Sequence, residues 1–318
     1  MISSLWHESA HHSALRQEKK KRVAEGMLEV ESLYSLISTG TERLVAKGEV
    51  PDSARQAMKV PYMRGDFSFP VKYGYSLVGE VTTAGPYKGK MVHILHPHQS
   101  GCLVDETAVF VIPEGVPAKR ATLASNLETV VNAIWDAGLN VGDKVLVAGF
   151  GMIGALLSRV IAMIPAVDLV VLEKDEKKRL LGKSMGFDIV EDISMQEFDL
   201  AFNTTSSGAA LQQCIESVGR EGKVVELSWY GTKEVVLHLG GDFHYQRKQI
   251  ISSQVSQIPA SRRARWDYKR RKETVFKLLQ SSDFDQHISD VIAFDHAPAF
   301  FKQLRSGTFE GLGCCLKY

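Results

Sequence analysis

The chain carries two hydrophobic rhythms in succession. As far as residue 118, apolar positions come in short runs broken by Gly and Pro: "LEVESLYSLIS", "YSLVGEVTTAG", "GKMVHIL" and "AVFVIPEG". Several alternate apolar with polar residues, the pattern of antiparallel strands with one face in a core and the other in water. From about 119 to 255 the alternation stops. "KVLVAGF" and "VDLVVLEK" are unbroken apolar runs, as expected of parallel strands buried on both faces. "RATLASNLETVVNAIWDAG", "MIGALLSRVIAMI", "DEKKRLLGKSMG" and "AALQQCIESVG" predict helices, and "FDLAFNTT" and "GKVVELSWYG" predict further strands. This βαβαβ order predicts an α/β fold with a doubly wound parallel sheet. "KQIISSQVSQI" reads as the last strand of that sheet, and a basic helix, "ASRRARWDYKRRKETVFKLLQ", follows it. The tail "ISDVIAFDHAPAFFKQLRSGTFEGLGCCLKY" reads strand, helix, strand, too short for a domain, and is expected to pack on the first zone. The division expected is 1–118 with 283–318 as one domain and 119–282 as the other.

Composition narrows the classes. With 44% hydrophobic and 24% charged residues, a packed globular chain is expected. A formal net charge of +1 provides no bulk attraction to nucleic acid or acidic membranes. No apolar run approaches the roughly 20 residues of a membrane span, and the N-terminus lacks a signal peptide's apolar core; the expected location is cytoplasmic. The four cysteines include no C-x-x-C pair, which excludes a four-cysteine zinc loop.

Gly149, Gly151 and Gly154 form G-x-G-x-x-G between a buried strand and a helix, the context that gives the motif meaning. Gly149 serves the tight turn, Gly151 the approach of a pyrophosphate, and Gly154 the packing of helix on strand. The N–H groups of the helix start, at Met152 and Ile153, face the phosphates. Glu173, about 20 residues on, is placed to accept the ribose hydroxyls and to repel a 2′-phosphate, favouring NAD over NADP. Lys174, Lys177 and Lys178 lie close enough to swing in and neutralise such a phosphate, which keeps NADP as the alternative. Thr204, Thr205, Ser228, Trp229 and Tyr230 follow later strands and are expected near the nicotinamide.

These features together resemble the medium-chain dehydrogenase/reductase superfamily over nearly the whole chain. "KYGYSLVGEVTTAG" stands where that family has G-H-E-x-x-G-x-V, and the stretch from "VIPEG" to "GFGMIG" matches its domain junction. "ISTGTERL" is similar to the hydroxyethyl-bacteriochlorophyllide dehydrogenase branch. The resemblance implies a GroES-like β-rich domain beside a Rossmann domain, and a nicotinamide-dependent oxidoreductase working on a small molecule. It also implies a homodimer paired through the edge strand "KQIISSQVSQI".

The departures concern metal. Ser38 stands at the family's zinc-ligating Cys, and Tyr75-Ser76 at its His-Glu; the third ligand falls near Glu128. Serine is a poor zinc ligand and tyrosine an uncommon one. "HILHPHQSG" offers a substitute set in which His96 and His98, with Glu42 or Glu128, hold a metal; the reading favoured is no metal. Alcohol or ketone chemistry then needs a side chain for the proton. Tyr75 and His98 lead the candidates and Glu42 comes third, among cleft residues that include Thr39 and Thr41. Reduction of activated C=C bonds, as in the quinone and enoyl branches, and a non-catalytic nucleotide sensor are the alternatives. The cations between Arg262 and Lys272 are a solvated face or an anion-holding wall of the cleft; nucleic acid is not the expected partner.

Overall fold

The computed structural model describes residues 1–20, 22–193 and 197–318. The chain forms two compact units, residues 1–125 with 276–318, and 126–275. The borders lie a few residues inside the expected 118/119 and 282/283. The reason is packing: the helix Ala118–Ala121 lies on strands of the first unit, and Arg120 there makes a two-pronged ion pair with Asp285. Phe276 stacks on Phe110 with ring centroids 4.9 Å apart, holding the far border.

The second unit is built on six parallel strands: Lys144–Ala148, Asp168–Leu172, Ile189–Val190, Phe198–Asn203, Val218–Glu226 and Gln249–Ser252. Numbered along the chain, their spatial order is 3-2-1-4-5-6, the doubly wound order of dinucleotide-binding sheets. Val145, Leu146, Val147 and Ala148 are all 0% exposed, which is why this segment shows no alternation. The two-residue strand Ile189–Val190 has no readable sequence pattern. The basic stretch is two helices, Ala260–Arg263 and Tyr268–Leu278, not one. Asp267 accepts from the Arg270 N–H at 2.7 Å and starts the second helix as its cap.

The first unit holds a seven-stranded sheet ordered Asp290–Ala293, Cys314–Lys317, Met27–Ile37, Leu77–Val81, Met91–Ile94 and Val109–Val111, with Gly101–Asp105 also paired to Met27–Ile37. The tail thus supplies two strands and the helix Ala297–Ser306, as its pattern predicts. An N-terminal hairpin, Ile2–Ser9 with His12–Glu18, joins Val71–Lys72 and Arg64–Gly65 in a smaller sheet. The Leu5 N–H donates to the His98 carbonyl at 3.0 Å, so this hairpin fixes the loop that bears His98.

Candidate functional site

In the second unit the glycine turn has the shape its spacing predicts. Gly149 sits at φ +98°, and a Cβ there would lie 2.7 Å from Thr204 Oγ1 and 2.9 Å from Thr205 Cγ2. A Cβ on Gly154 would run into the Gly149 carbonyl, so helix and turn touch backbone to backbone. At Gly151 an added Cβ meets nothing within 4 Å: the surface is open where a pyrophosphate would lie. Gly151 caps the ten-residue helix Met152–Ile161 without a side-chain partner, leaving the N–H groups of the first turn to an anion. Glu173 reaches back over the turn. Its carboxylate accepts from the Phe150 N–H at 2.7 Å and from the Asp175 N–H at 2.9 Å. The Lys174 side chain is exposed. These residues fit a dinucleotide.

Beyond the turn, a polar network closes the ends of the fourth and fifth strands. Thr204 Oγ1 donates to the Ala148 carbonyl at 2.8 Å. Thr205 donates through N–H and hydroxyl to Asn203 Oδ1. Asn203, fully buried, donates to Glu226 Oε2 at 2.7 Å and to the Tyr230 hydroxyl at 3.0 Å. Tyr230 donates to Glu226 Oε2 at 3.0 Å, and the Ser228 N–H donates to Oε1 at 2.7 Å. Burial and then the Glu226 charge raise the Tyr230 phenol well above its ordinary pKa, so it remains a donor. Ser228 Oγ accepts from the Ser206 N–H.

In the first unit, Glu42, His98 and Tyr75 come together. Glu42 lies in the first turn of the helix Thr41–Lys47 and is 0% exposed. The Ser38 N–H donates to its Oε1 at 2.8 Å. Its Oε2 lies 2.8 Å from His98 Nε2. His98 Nδ1 lies 2.8 Å from Ser35 Oγ, and that hydroxyl 2.8 Å from the Tyr318 hydroxyl. The result is an unbroken hydrogen-bonded chain, Glu42–His98–Ser35–Tyr318. Gly74, at φ +132°, leaves room for it: a Cβ there would lie 2.9 Å from His98 Cδ2 and Nε2. Tyr75 is half-buried and bonds the side chains of Ser38 and Thr41. Burial and then the Glu42 charge push its phenol up to about 12. His98 is 0% exposed with both ring nitrogens engaged, so it offers no free nitrogen to a substrate.

The substitute metal set does not assemble. His93 Nε2 sits by Ser76 and Ser125. His96 Nδ1 faces the Pro97 carbonyl at 2.8 Å, its ring stacks on Tyr62, and burial pushes its pKa down to about 4. Glu128, in the second unit, is held by Arg271 and Lys272, all three nearly buried. Among the described residues no group of three His, Cys, Asp or Glu has the spacing to hold a metal ion. The groups gathered here, the Ser38 and Tyr75 hydroxyls, Glu42 and a His98 with both ring nitrogens engaged, are a donor set that does not suit zinc.

The basic stretch is largely engaged. Arg262 lies over Trp135 and Arg270 over Trp266, while the two tryptophan rings are 4.6 Å apart. Arg271 also donates to Asn132 and to the Val255 carbonyl. Arg263 donates to the Ile258 carbonyl. Sequence reasoning missed Ser35, Gly74, Tyr318, Asn203 and Glu226. Ser35 had no readable signal: it has the outward parity of the alternation begun by Leu28 and Val30, and a register shift between Ser32 and Tyr34 turns it inward. No helix among the described residues is long and apolar enough to cross a membrane.

The parallel sheet in 3-2-1-4-5-6 order with its glycine turn is a Rossmann unit, and the separate β-rich unit is GroES-like, the fold that solved dehydrogenase structures share with this chain. No family model matches the chain. Among curated proteins it is similar to D-guloside 3-dehydrogenase of Shigella flexneri, 23% identical over 207 residues, which is 60% of this chain and 59% of that protein. The chain therefore matches about three-fifths of the length of this relative. Solved structures agree over the full chain. The 2R,3R-butanediol dehydrogenase of Bacillus subtilis superposes with a TM-score of 0.78 at 16% identity, covering 100% of each chain. Acetophenone reductase from Geotrichum candidum, in complex with NAD, superposes at 0.79 and 16% identity, covering 100% of this chain and 97% of the other.

Proposed function

We propose that this protein is a nicotinamide-dependent oxidoreductase that interconverts an alcohol and a ketone without zinc. One observation carries the reading: the Glu173 carboxylate reaches the Phe150 N–H of the glycine turn, placing an acid beside an open phosphate cradle. Gly149, Gly151, Met152, Ile153 and Gly154 would hold the pyrophosphate, Glu173 the adenosine ribose, and Thr204 and Ser228 would border the nicotinamide side. Glu173 favours NAD; the exposed Lys174 leaves NADP as the weaker substrate. When bound, the cofactor supplies or accepts a hydride.

The proton is the business of the β-rich unit. Tyr75, kept neutral by burial and by the Glu42 charge, gives its proton to the oxygen of the ketone as negative charge develops there. The phenolate so formed is reprotonated from solvent. His98 holds Glu42 in place through Nε2, so His98 and Glu42 act through Tyr75. The substrate is a small alcohol or ketone, and the assembly is a homodimer paired through the sheet edge at Gln249–Ser252.

The test is NADH-linked reduction of a ketone panel by protein stripped with a chelator, together with elemental analysis. Turnover without metal supports the reading; activity restored only by added zinc overturns its metal-free part. Reduction of cyclohexenone-type compounds with no activity on ketones or alcohols overturns the choice of substrate.

A further inference from the structure

The carboxylate of Glu226 is held by donors on both oxygens. It ends the fifth strand, beside Asn203 at the end of the fourth, with Asn203 and Glu226 paired in register. Its contacts are the Ser228 N–H, the Asn203 amide and the Tyr230 hydroxyl. Every partner donates, so both oxygens act as acceptors, as an ionised carboxylate requires. These three partners are neutral, and among the described residues no ion pair to Glu226 is present. The side chain is half-buried, where a charge acts more strongly than in water.

Its place in the sheet gives that charge a target. In this strand order the two mononucleotides of a dinucleotide lie on opposite sides of the central strand Lys144–Ala148. Glu173, at the end of the second strand, marks the adenosine side. The nicotinamide side is then that of the fourth and fifth strands. There Thr205 links the two features: its Cγ2 crowds the Gly149 turn, and its N–H and hydroxyl hold Asn203, which holds Glu226. Oxidised and reduced cofactors share their phosphates, sugars and adenine; the ring charge is the large difference. NAD⁺ carries a positive pyridinium, and NADH a neutral dihydropyridine.

We infer that Glu226 is a specificity-determining residue for cofactor oxidation state, its fixed negative charge favouring the pyridinium ring over the dihydropyridine. Asn203 and Tyr230 are the positioning residues that hold the carboxylate. The inference rests on the dinucleotide reading of the glycine turn. By linkage, a tenfold preference for the oxidised form makes the bound couple more reducing by about 30 mV.

Calorimetric titration of the full chain with NAD⁺ and, separately, NADH tests this without any turnover. Glu226→Gln should weaken NAD⁺ by about tenfold and leave NADH within about twofold. Equal losses for both forms, or no change in either, would overturn the inference. Should Glu226→Gln fail to fold, Tyr230→Phe keeps the charge and removes one neutral donor; the wild-type preference for NAD⁺ over NADH should then persist or grow, and its disappearance would count against a charge effect. Wild-type protein that binds neither form would instead sink the dinucleotide reading, and this inference with it. Binding of both forms with an unmoved ratio sinks the inference alone.

Discussion

His98 Nε2 lies 2.8 Å from Glu42 Oε2, and neither side chain is exposed. The Ser38 N–H and the His98 imidazole occupy the two oxygens of this carboxylate. Burial, and then the Glu42 charge, raise the pKa of the Tyr75 phenol. In the proposed mechanism Tyr75 is thus prepared as proton donor by Glu42 and the groups that hold it.

Tyr75→Phe should lower kcat for ketone reduction by about 10²–10⁴-fold, the usual contribution of a positioned acid, with KM little changed. Glu42→Gln should lower kcat less and bring the fall of rate with rising pH to a lower pH. Because the Tyr75 pKa is raised to about 12, wild-type kcat limited by this proton should hold through neutral pH and fall only as pH approaches 12. Steady-state kinetics against pH would check both; undiminished turnover by Tyr75→Phe would remove Tyr75 from the mechanism.

Acid should destabilise the β-rich unit. Burial, then the charges of Arg305 and His98, push the His7 imidazole down to about 3, and burial pushes His96 down to about 4. Both folded pKa values lie below the ordinary 6.5, so the unfolded chain binds protons first as pH falls. Stability from these neutral rings is complete above 6.5 and is lost on going down through about 4 and 3. At about 1.4 kcal/mol per unit, the loss amounts to a few kcal/mol for each ring. Denaturant melts between pH 7 and 4 should show it, and a flat profile would contradict it.

Glu128→Ala should destabilise the protein by about 3–5 kcal/mol, because it leaves Arg271 and Lys272 buried without their shared partner. Urea unfolding measures this directly. A variant as stable as wild type but depleted in bound metal would return Glu128 to the role of ligand.

All four cysteines are buried and reduced. Burial raises the Cys102 and Cys214 thiols to about 12 and Cys315 to about 11, so almost no thiolate exists at neutral pH. A thiol reagent at pH 8 should modify none of them within minutes in the native state and all four in guanidinium. Rapid native labelling would show that these sites open.

The parts legible in the sequence are those that local spacing determines. Gly149, Gly151 and Gly154 act within one strand–turn–helix corner, and Glu173 follows one helix and one strand later, so their roles follow from position in a repeated βαβ unit. The unbroken "KVLVA" run and the alternating "LEVESLYSLIS" separate a sheet covered on two faces from one covered on one face, since burial sets the pattern. The Glu42–His98–Ser35–Tyr318 chain obeys no such rule. His98 meets Glu42 across 56 positions, and Ser35 meets Tyr318 across 283. The pairing of Cys314–Lys317 with Met27–Ile37 brings the last contact about. The same holds for Glu128, whose type and motif position suit a metal and whose buried neighbours Arg271 and Lys272 do not. Sequence by itself determined the scaffold and the glycine turn, because backbone sterics and periodic burial are local. Tertiary structure alone decided which acids stand beside cations, which beside histidine and which beside neutral donors, because charge interactions depend on distance through space and not along the chain.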